Sequence, residues 1–466
     1  MSAQMTLVAP QVSPPLDDAF RPGVLANRAF REAARSSGSA VPLVVALERG
    51  GGLVSVYRTE VFDPAAPGAE ANAAYVERLV KTLLWARGGW KVTVGGPREA
   101  GEVVQKAYAP GGVREFDAPF MGGVYEHDFT VEICDAGSAP AEREQSVAIG
   151  RHLEGCRIGF DAGASDRKVS AVIEGESVFE EEIVWNPKTQ PDPAYHYHHI
   201  QSALHMAAAH MPRVDAIGVS SAGIYIDNRV RVASLFRGIP KARFDAEVAD
   251  LFLRLGREWG VPIEVANDGD VTALAGSMNL DTNAVLGIAL GSSEAGGYVT
   301  PEGNITGWLN ELAFVPVDFS PEAPVDEWSG DRGCGVQYFS QEAVIRLAPK
   351  AGIELDPGLA TPAEKLKVVQ ELHDRGDERA RRVFETIGVY MGYGVAYYAD
   401  FYDIDQLLIL GRVTSGPGGP IILERAREVL KAEFPELAER VRMDLPDEMA
   451  RRVGQAVAAA SLPEIG

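Results

Sequence analysis

Cysteine is scarce. Cys134, Cys156 and Cys334 are the only three in 466 residues, and they lie far apart. An odd, sparse set excludes a disulfide framework and fits a reducing compartment; no nucleophile arrangement surrounds any of the three. No apolar run approaches the roughly 18 residues that a membrane helix needs. The N-terminus, MSAQMTLVAPQVSPPLDD, has neither a charged leader nor a long apolar stretch, so a secretory signal is not expected. Positive charge is in deficit, 44 basic against 66 acidic residues for a net charge of −22. That disfavours nonspecific binding to nucleic acid or anionic membrane. These absences set the expectation of a cytoplasmic protein with no nucleic-acid and no membrane partner. What is present is ordinary for a globular chain, 46% apolar and 24% charged, with length for about three domains.

Residues 1–22 are Pro-rich and expected to be loosely ordered. Residues 23–154 read as an extra α+β domain of unknown role and a separate unit. Within it, residues 42–62 form a hairpin turning at Gly50-Gly51-Gly52, residues 72–87 have helical periodicity, and Lys91-Val92-Thr93-Val94 is a strand. Beyond residue 154 the pattern becomes hairpin, helix, strand, helix. Helices are expected over 197–210, 246–259, 381–402 and 448–460. Strands are expected over 216–219, 261–265, 285–290 and 406–410.

Chemistry gathers at a few turns. In RIGFDAGASDRK, residues 157–168, a short apolar strand ends in Asp161, followed by Gly163, Ser165 and the basic pair Arg167-Lys168. Gly163 would let backbone N–H groups approach an anion that a Cβ would block. Asp161 cannot bind phosphate directly; its useful role is to hold a water on Mg²⁺. An ordinary polar hairpin turn is the competing reading. The strand 261–265 ends in Asn267-Asp268-Gly269-Asp270, a carboxylate where α/β proteins place chemistry; the competing reading of Asp268 is a helix N-cap. Gly291 to Gly297 repeats the strand–small-residue-turn–strand unit, which points to an internal duplication. The histidines at 196, 198, 199, 205 and 210 lack metal-ligand spacing and read as a partly exposed helix.

These segments together resemble the ROK group of sugar kinases and repressors within the actin-like ATPase superfamily, over about residues 157–460. The separations of Asp161, Asp268, Gly291 and Gly411 all fit that group. The resemblance implies an α/β, two-lobed actin-like ATPase (ribonuclease H-like) fold: residues 155–277 as first lobe, 278–446 as second, and 447–466 as a helix returning to the first. It implies ATP and Mg²⁺ as cofactors and a sugar-like small molecule as partner, and leaves homo-oligomerisation open. By the same resemblance Asp268 is the catalytic base, with Asn267 and Glu311 on substrate hydroxyls. Asp161, Gly163, Ser165 and Lys168 form the first phosphate site, Gly291, Ser292 and Ser293 the second, and Gly411 and Arg412 lie beside the adenine.

Departures accompany the match. The group's structural zinc uses a His and a Cys cluster; here Phe314 stands at the His position and only Cys334 remains of the cluster, which cannot build a tetrahedral site. Glu294 falls inside the second phosphate loop, where a carboxylate repels phosphate. The expected function is ATP-dependent phosphorylation of a sugar hydroxyl. The alternatives are a noncatalytic ROK-like ligand sensor, or a degenerate nucleotide-binding module using its extra domain for interaction.

Overall fold

A computed structural model describes residues 5–144, 150–163, 166–446 and 448–465. The chain opens with α1 (Gly23–Ser36), unannounced in the sequence, its start fixed by Pro22 at φ −55. The expected hairpin follows as β1 (Ala40–Glu48) and β2 (Val54–Phe62). Then come α2 (Asn72–Arg87), β3 (Lys91–Gly95), α3 (Arg98–Tyr108), α4 (Asp117–Tyr125) and β4 (Thr130–Cys134). The sheet runs β2-β1-β3-β4, with β1 antiparallel to both neighbours and β3 parallel to β4. The Asn72 side chain clamps α2 to the sheet, its amide donating to Phe62 O at 2.8 Å and accepting from Phe62 N at 3.1 Å.

The first lobe is a sheet of order β11-β8-β5-β6-β7, built from β5 (Cys156–Ala162), β6 (Asp166–Ile173), β7 (Glu176–Val184), β8 (Ala216–Ser221) and β11 (Ile263–Asn267). β5, β8 and β11 are mutually parallel, while β5–β6–β7 is a meander. Helix α5 (Pro193–Ala208) starts at a capped turn, Asp192 accepting from Ala194 N at 3.1 Å. A two-stranded ribbon, β9 (Ile224–Ile226) with β10 (Arg229–Val232), follows β8. The helix expected over 246–259 is broken at its start: one turn, α6 (Lys241–Arg243), passes through a π turn at Phe244–Val248 into α7 (Leu251–Trp259). After β11 comes α8 (Asp268–Leu280).

The second lobe repeats the plan. Its sheet order is β13-β12-β14-β15, from β12 (Val285–Leu290), β13 (Glu294–Val299), β14 (Gln406–Leu410) and β15 (Arg442–Asp444). Again a hairpin leads, and its first strand is parallel to the two that follow. Helices α9 (Gln341–Lys350), α10 (Pro362–Asp374), α11 (Glu378–Tyr398), α12 (Gly418–Glu433) and α13 (Pro435–Arg440) complete it. The closing helix α14 (Glu448–Ala460) packs on β5, β8 and α8 of the first lobe. It sits so close that a Cβ on Gly218 would lie 1.7 Å from Ala459 O.

Residues 23–154 are not the separate unit the sequence suggested. One hydrophobic cluster runs from Phe30, Tyr75 and Trp85 into Phe339, Tyr390 and Tyr397 of the second lobe, whereas the first lobe keeps its own cluster around Phe160, Leu204 and Phe252. The cause is α2, whose buried residues leave little surface for solvent; such a helix must be covered on more than one side. Thr82 Oγ1 and Tyr397 OH meet across the junction at 2.7 Å. The described part of the Pro-rich start is packed as well: Phe20 lies 4.8 Å from the Tyr390 ring, and Asp17 is buried against Arg346 and Lys350.

Candidate functional site

Parallel register places the candidate carboxylates. Asp161, at the end of β5, pairs with Ser220 of β8, and Asn267, at the end of β11, pairs with Ser221. Asp161 and Asp268, the residue that follows Asn267, therefore emerge at the C-terminal edge of one sheet, where α/β folds collect ligands. Burial pushes the Asp161 carboxyl up to about 6; the Lys168 ammonium, 3.9 Å away, opposes this and the Asp268 charge adds to it. Burial also raises Asp268, against a hydrogen bond from Gly269 N at 3.0 Å. Gly163 O accepts from Trp185 Nε1 at 2.8 Å, anchoring the first turn. Ser165 lies outside the described residues.

The N-cap of α8 is Asn267, not Asp268. Asn267 Oδ1 accepts from Gly269 N at 2.8 Å and its Nδ2 donates to Gly223 O at 2.7 Å. Its amide is thus engaged at both ends in holding the turn, and Asp268 Oδ1 shares the same Gly269 N–H.

Glu311 owes its place to the N-terminal region, a link the sequence did not reveal. The last carbonyls of α2 need donors, and they find them in this loop: Asn310 N donates to Ala86 O at 2.9 Å and Glu311 N to Trp85 O at 3.1 Å. Asn310 adopts φ 51, a left-handed conformation that Asn tolerates better than most residues. Its side chain donates to Asp270 Oδ1 at 2.9 Å and accepts from Tyr402 OH at 3.0 Å. Burial, then the Asp268 charge, pushes the Glu311 carboxyl up to about 7. Asp270 is likewise pushed up by burial to about 7 and holds the first turn of α8 to β13 through Tyr298 N.

The second turn is Gly291-Ser292-Ser293, with both serines exposed. Gly411 follows β14 at φ 101, where a Cβ would lie 2.5 Å from Leu290 O, so the second turn and the Gly411 turn are in contact. Arg412 is exposed beside it. Glu294 does not face this turn. It pairs with Leu290 across the hairpin, shares that residue's buried face, is 2% exposed, and accepts from Tyr398 OH at 2.8 Å. Burial pushes its carboxyl up to about 8, so at neutral pH it is chiefly an uncharged acid turned away from any phosphate.

That burial has a thermodynamic sign. An unfolded Glu titrates near 4.5 and the folded one at about 8, so in that window the native state holds a proton the unfolded chain has released. The stability contributed by the neutral acid is full below the lower value and is lost as pH rises through the upper one. Glu311 and Asp270 act in the same direction. Urea midpoints are expected to fall from about pH 5 to about pH 8.5, and Glu294→Gln to flatten that slope. Identical slopes in wild type and variant would contradict the buried acid.

Where the resemblance expected a zinc site, Phe314 stacks on Trp85 at 4.1 Å, and Cys334 lies beneath an ion-pair network. Burial pushes the Cys334 thiol up to about 12, unlike a metal-bound thiolate. Elemental analysis of the dialysed protein is expected to find no stoichiometric zinc; a full equivalent would refute this. His196, buried in the first lobe, has Nε2 within 3.1 Å of Pro187 O and 3.0 Å of Leu235 O, which makes it a core residue.

A cavity of about 360 Å³ opens beside Asn267 and Asp270. Gly223, Tyr225, Asn228 and Glu264 form one wall, Ile305 to Leu309 another, and Arg49, Gly50, Gly51, Leu53 and Tyr125 of the N-terminal region a third.

Two sheets of repeated hairpin-plus-parallel topology, with a C-terminal helix returning to the first, define a two-lobed actin-like ATPase (ribonuclease H-like) fold. The sequence model of the ROK family matches residues 157–452, and the chain belongs to that family. No curated protein sequence matches the chain. Among solved structures, a ROK family transcriptional regulator described as a homolog of the E. coli MLC protein is 17% identical with a TM-score of 0.51, covering 67% of this chain and 79% of its own. A ROK family glucokinase from Streptomyces griseus, in complex with glucose and AMPPNP, is 22% identical with a TM-score of 0.48, covering 65% and 98%. A ROK hexokinase from Thermus thermophilus is 20% identical with a TM-score of 0.49, covering 65% and 97%. At such identities the regulator's likeness speaks to fold alone.

Proposed function

We propose that the protein is an ATP-dependent kinase that phosphorylates a hydroxyl of a sugar or sugar-like small molecule, with Asp268 as general base. The observation that carries this is the parallel register that sets Asp161 and the Asn267–Asp268 turn at one sheet edge, with the Asp268 charge raising both Asp161 and Glu311. Asp268 takes the proton of the substrate hydroxyl at a carboxylate oxygen, and burial makes it a stronger base than an exposed Asp. Glu311, poised near neutrality, hydrogen-bonds a neighbouring substrate hydroxyl, and Asn267 fixes the turn that presents Asp268. Asp161 fits a water ligand of Mg²⁺, because its burial, only partly opposed by Lys168 and Ser220, leaves charge for a cation to satisfy. Gly163, Ser165 and Lys168 on one side, and Gly291, Ser292 and Ser293 on the other, would hold phosphates, with Gly411 and Arg412 beside the base. Bound there, Mg²⁺-ATP supplies the phosphoryl group. Residues 155–277 and 278–446 serve as the lobes, and a cytoplasmic location accompanies this reading.

The inward turn of Glu294 removes one argument for a degenerate module. Phe314, standing where the resembled group has its zinc-binding His, favours a second reading, a noncatalytic ROK-like ligand sensor. ADP release by the full chain with Mg²⁺-ATP, measured against a panel of sugars and polyols, separates the two. Turnover on a hydroxyl substrate supports the kinase. Binding of nucleotide and sugar without turnover supports the sensor.

A further inference from the structure

The N-terminal region lies outside the family match, yet it supplies a wall of the cavity beside Asn267 and Asp270. On that wall Arg49 is 3% exposed. Its Nη2 donates to Glu144, but Nε and Nη1, both buried, have no hydrogen-bond partner among the described residues. Glu144 is in turn held by Ser55 Oγ and by Trp308 Nε1, the latter at 3.1 Å, so the guanidinium is fixed from both the hairpin and the 305–309 loop. Tyr125, also on this wall, has a buried hydroxyl with no partner among the described residues. Burial first, and Glu144 next, raise its pKa, while Arg49 lowers it, so it lies within the electrostatic reach of that side chain.

Buried donors without acceptors are costly, and native proteins retain few of them. Here they cluster at a cavity wall, so an acceptor brought by a ligand would relieve the cost. The sign of the surroundings narrows that ligand. The Arg49 charge is balanced by Glu144, and the other carboxyls on the lining, Asp227, Glu264 and Asp270, bring no cation. A carboxylate or phosphate would find no unbalanced positive charge there, whereas a neutral polyhydroxylated molecule brings acceptor oxygens without needing one.

Resting on the proposed sugar-binding reading, we infer that Arg49 is a specificity-determining residue supplied by the N-terminal region. It takes an acceptor oxygen of a neutral polyhydroxylated ligand, with Tyr125 assisting, while Asp268 faces the reacting hydroxyl. The N-terminal region is therefore part of the substrate site.

Calorimetry on the full-length protein tests this, with D-glucose, N-acetyl-D-mannosamine, sucrose and D-gluconate as probes and AMPPNP as the control ligand. For the neutral sugar that binds best, Arg49→Lys, which keeps a cation for Glu144, is expected to raise Kd about tenfold or more, the effect of one lost charged hydrogen bond. AMPPNP affinity should not change. Tyr125→Phe should also weaken the sugar while leaving the melting temperature of the ligand-free protein equal or higher, because it removes an unpartnered hydroxyl; a structural role would lower it. Sugar affinities equal to wild type in both folded variants overturn this inference and leave the kinase reading standing. Tighter binding of gluconate than of every neutral sugar overturns it too. A wild type that binds AMPPNP but none of the sugars overturns both.

Discussion

Asp268→Asn is expected to lower kcat by 10²- to 10⁴-fold on a confirmed substrate while leaving AMPPNP affinity almost intact. General-base assistance is worth about that factor, or roughly 3–5 kcal/mol of barrier. Asn is nearly isosteric and keeps an acceptor for Gly269 N, and Asn267 carries the cap, so the turn survives. Burial raises Asp268 above the ordinary carboxylate value. The wild-type rate should therefore climb with pH through a raised acidic limb that the variant lacks. Asp161→Asn should act elsewhere, shifting the Mg²⁺ and nucleotide dependence more than the turnover at saturation. Wild-type kcat in Asp268→Asn would remove the assigned base.

Asp117→Ala should be the most destabilising single change in the N-terminal region, by about 3–5 kcal/mol, the usual cost of stranding one partner of a buried ion pair. Lys81 and Asp117 are 0% and 1% exposed at their side chains. Lys81 Nζ donates to both carboxylate oxygens at 3.0 Å, and Trp85 Nε1 donates to Oδ1 at 3.1 Å. The network continues into the second lobe, where Arg114 and Arg78 reach Asp331 at 2.7 and 2.9 Å. Burial pushes Asp331 up, but Arg78, Arg114 and Lys81 outweigh it and hold the carboxyl at about 2. Replacing both partners, Lys81→Met with Asp117→Leu, should recover much of the loss because no charge is left stranded. Denaturant titration checks both variants. A loss under about 1 kcal/mol in Asp117→Ala would mean that Lys81 is not stranded but is taken over by Asp331, 3.7 Å from its Nζ, or by water.

The repeated hairpins were legible because each is local: strand, small-residue turn and strand lie within a few residues, and their β-branched and apolar runs announce them. Asp161 and Asp268 were legible for the same reason, since a carboxylate after a short apolar strand needs no distant partner to be noticed. Asn310 and Arg49 were not. The first derives its place from the open carbonyls at the end of α2, more than two hundred residues earlier, and the second from pairing with Glu144. Neither leaves a trace in local periodicity. Glu294 was misread although a signal existed: a tight hairpin sets it opposite Leu290, and cross-strand partners share a face. Helix α1 escaped because a polar segment after Pro22 carries no acidic first turn or side-chain cap to mark its start.

The N-terminal region is fastened unequally to the two lobes. To the second it is joined by a continuous apolar core and a buried ion-pair network. Its tie to the first is smaller: Ile224 and Ile226 of β9 pack at the edge of that core, and Glu126, more than half exposed at its side chain, reaches Arg229 at 3.1 Å and also Arg231. Exposed pairs contribute little and are weakened by salt, whereas a core resists shear. A hinge rotation between the lobes would therefore carry the β1–β2 turn along with the second lobe and release the Glu126 latch first. The mouth of the cavity would open and close as part of the hinge, its door hung on one lobe and bolted lightly to the other.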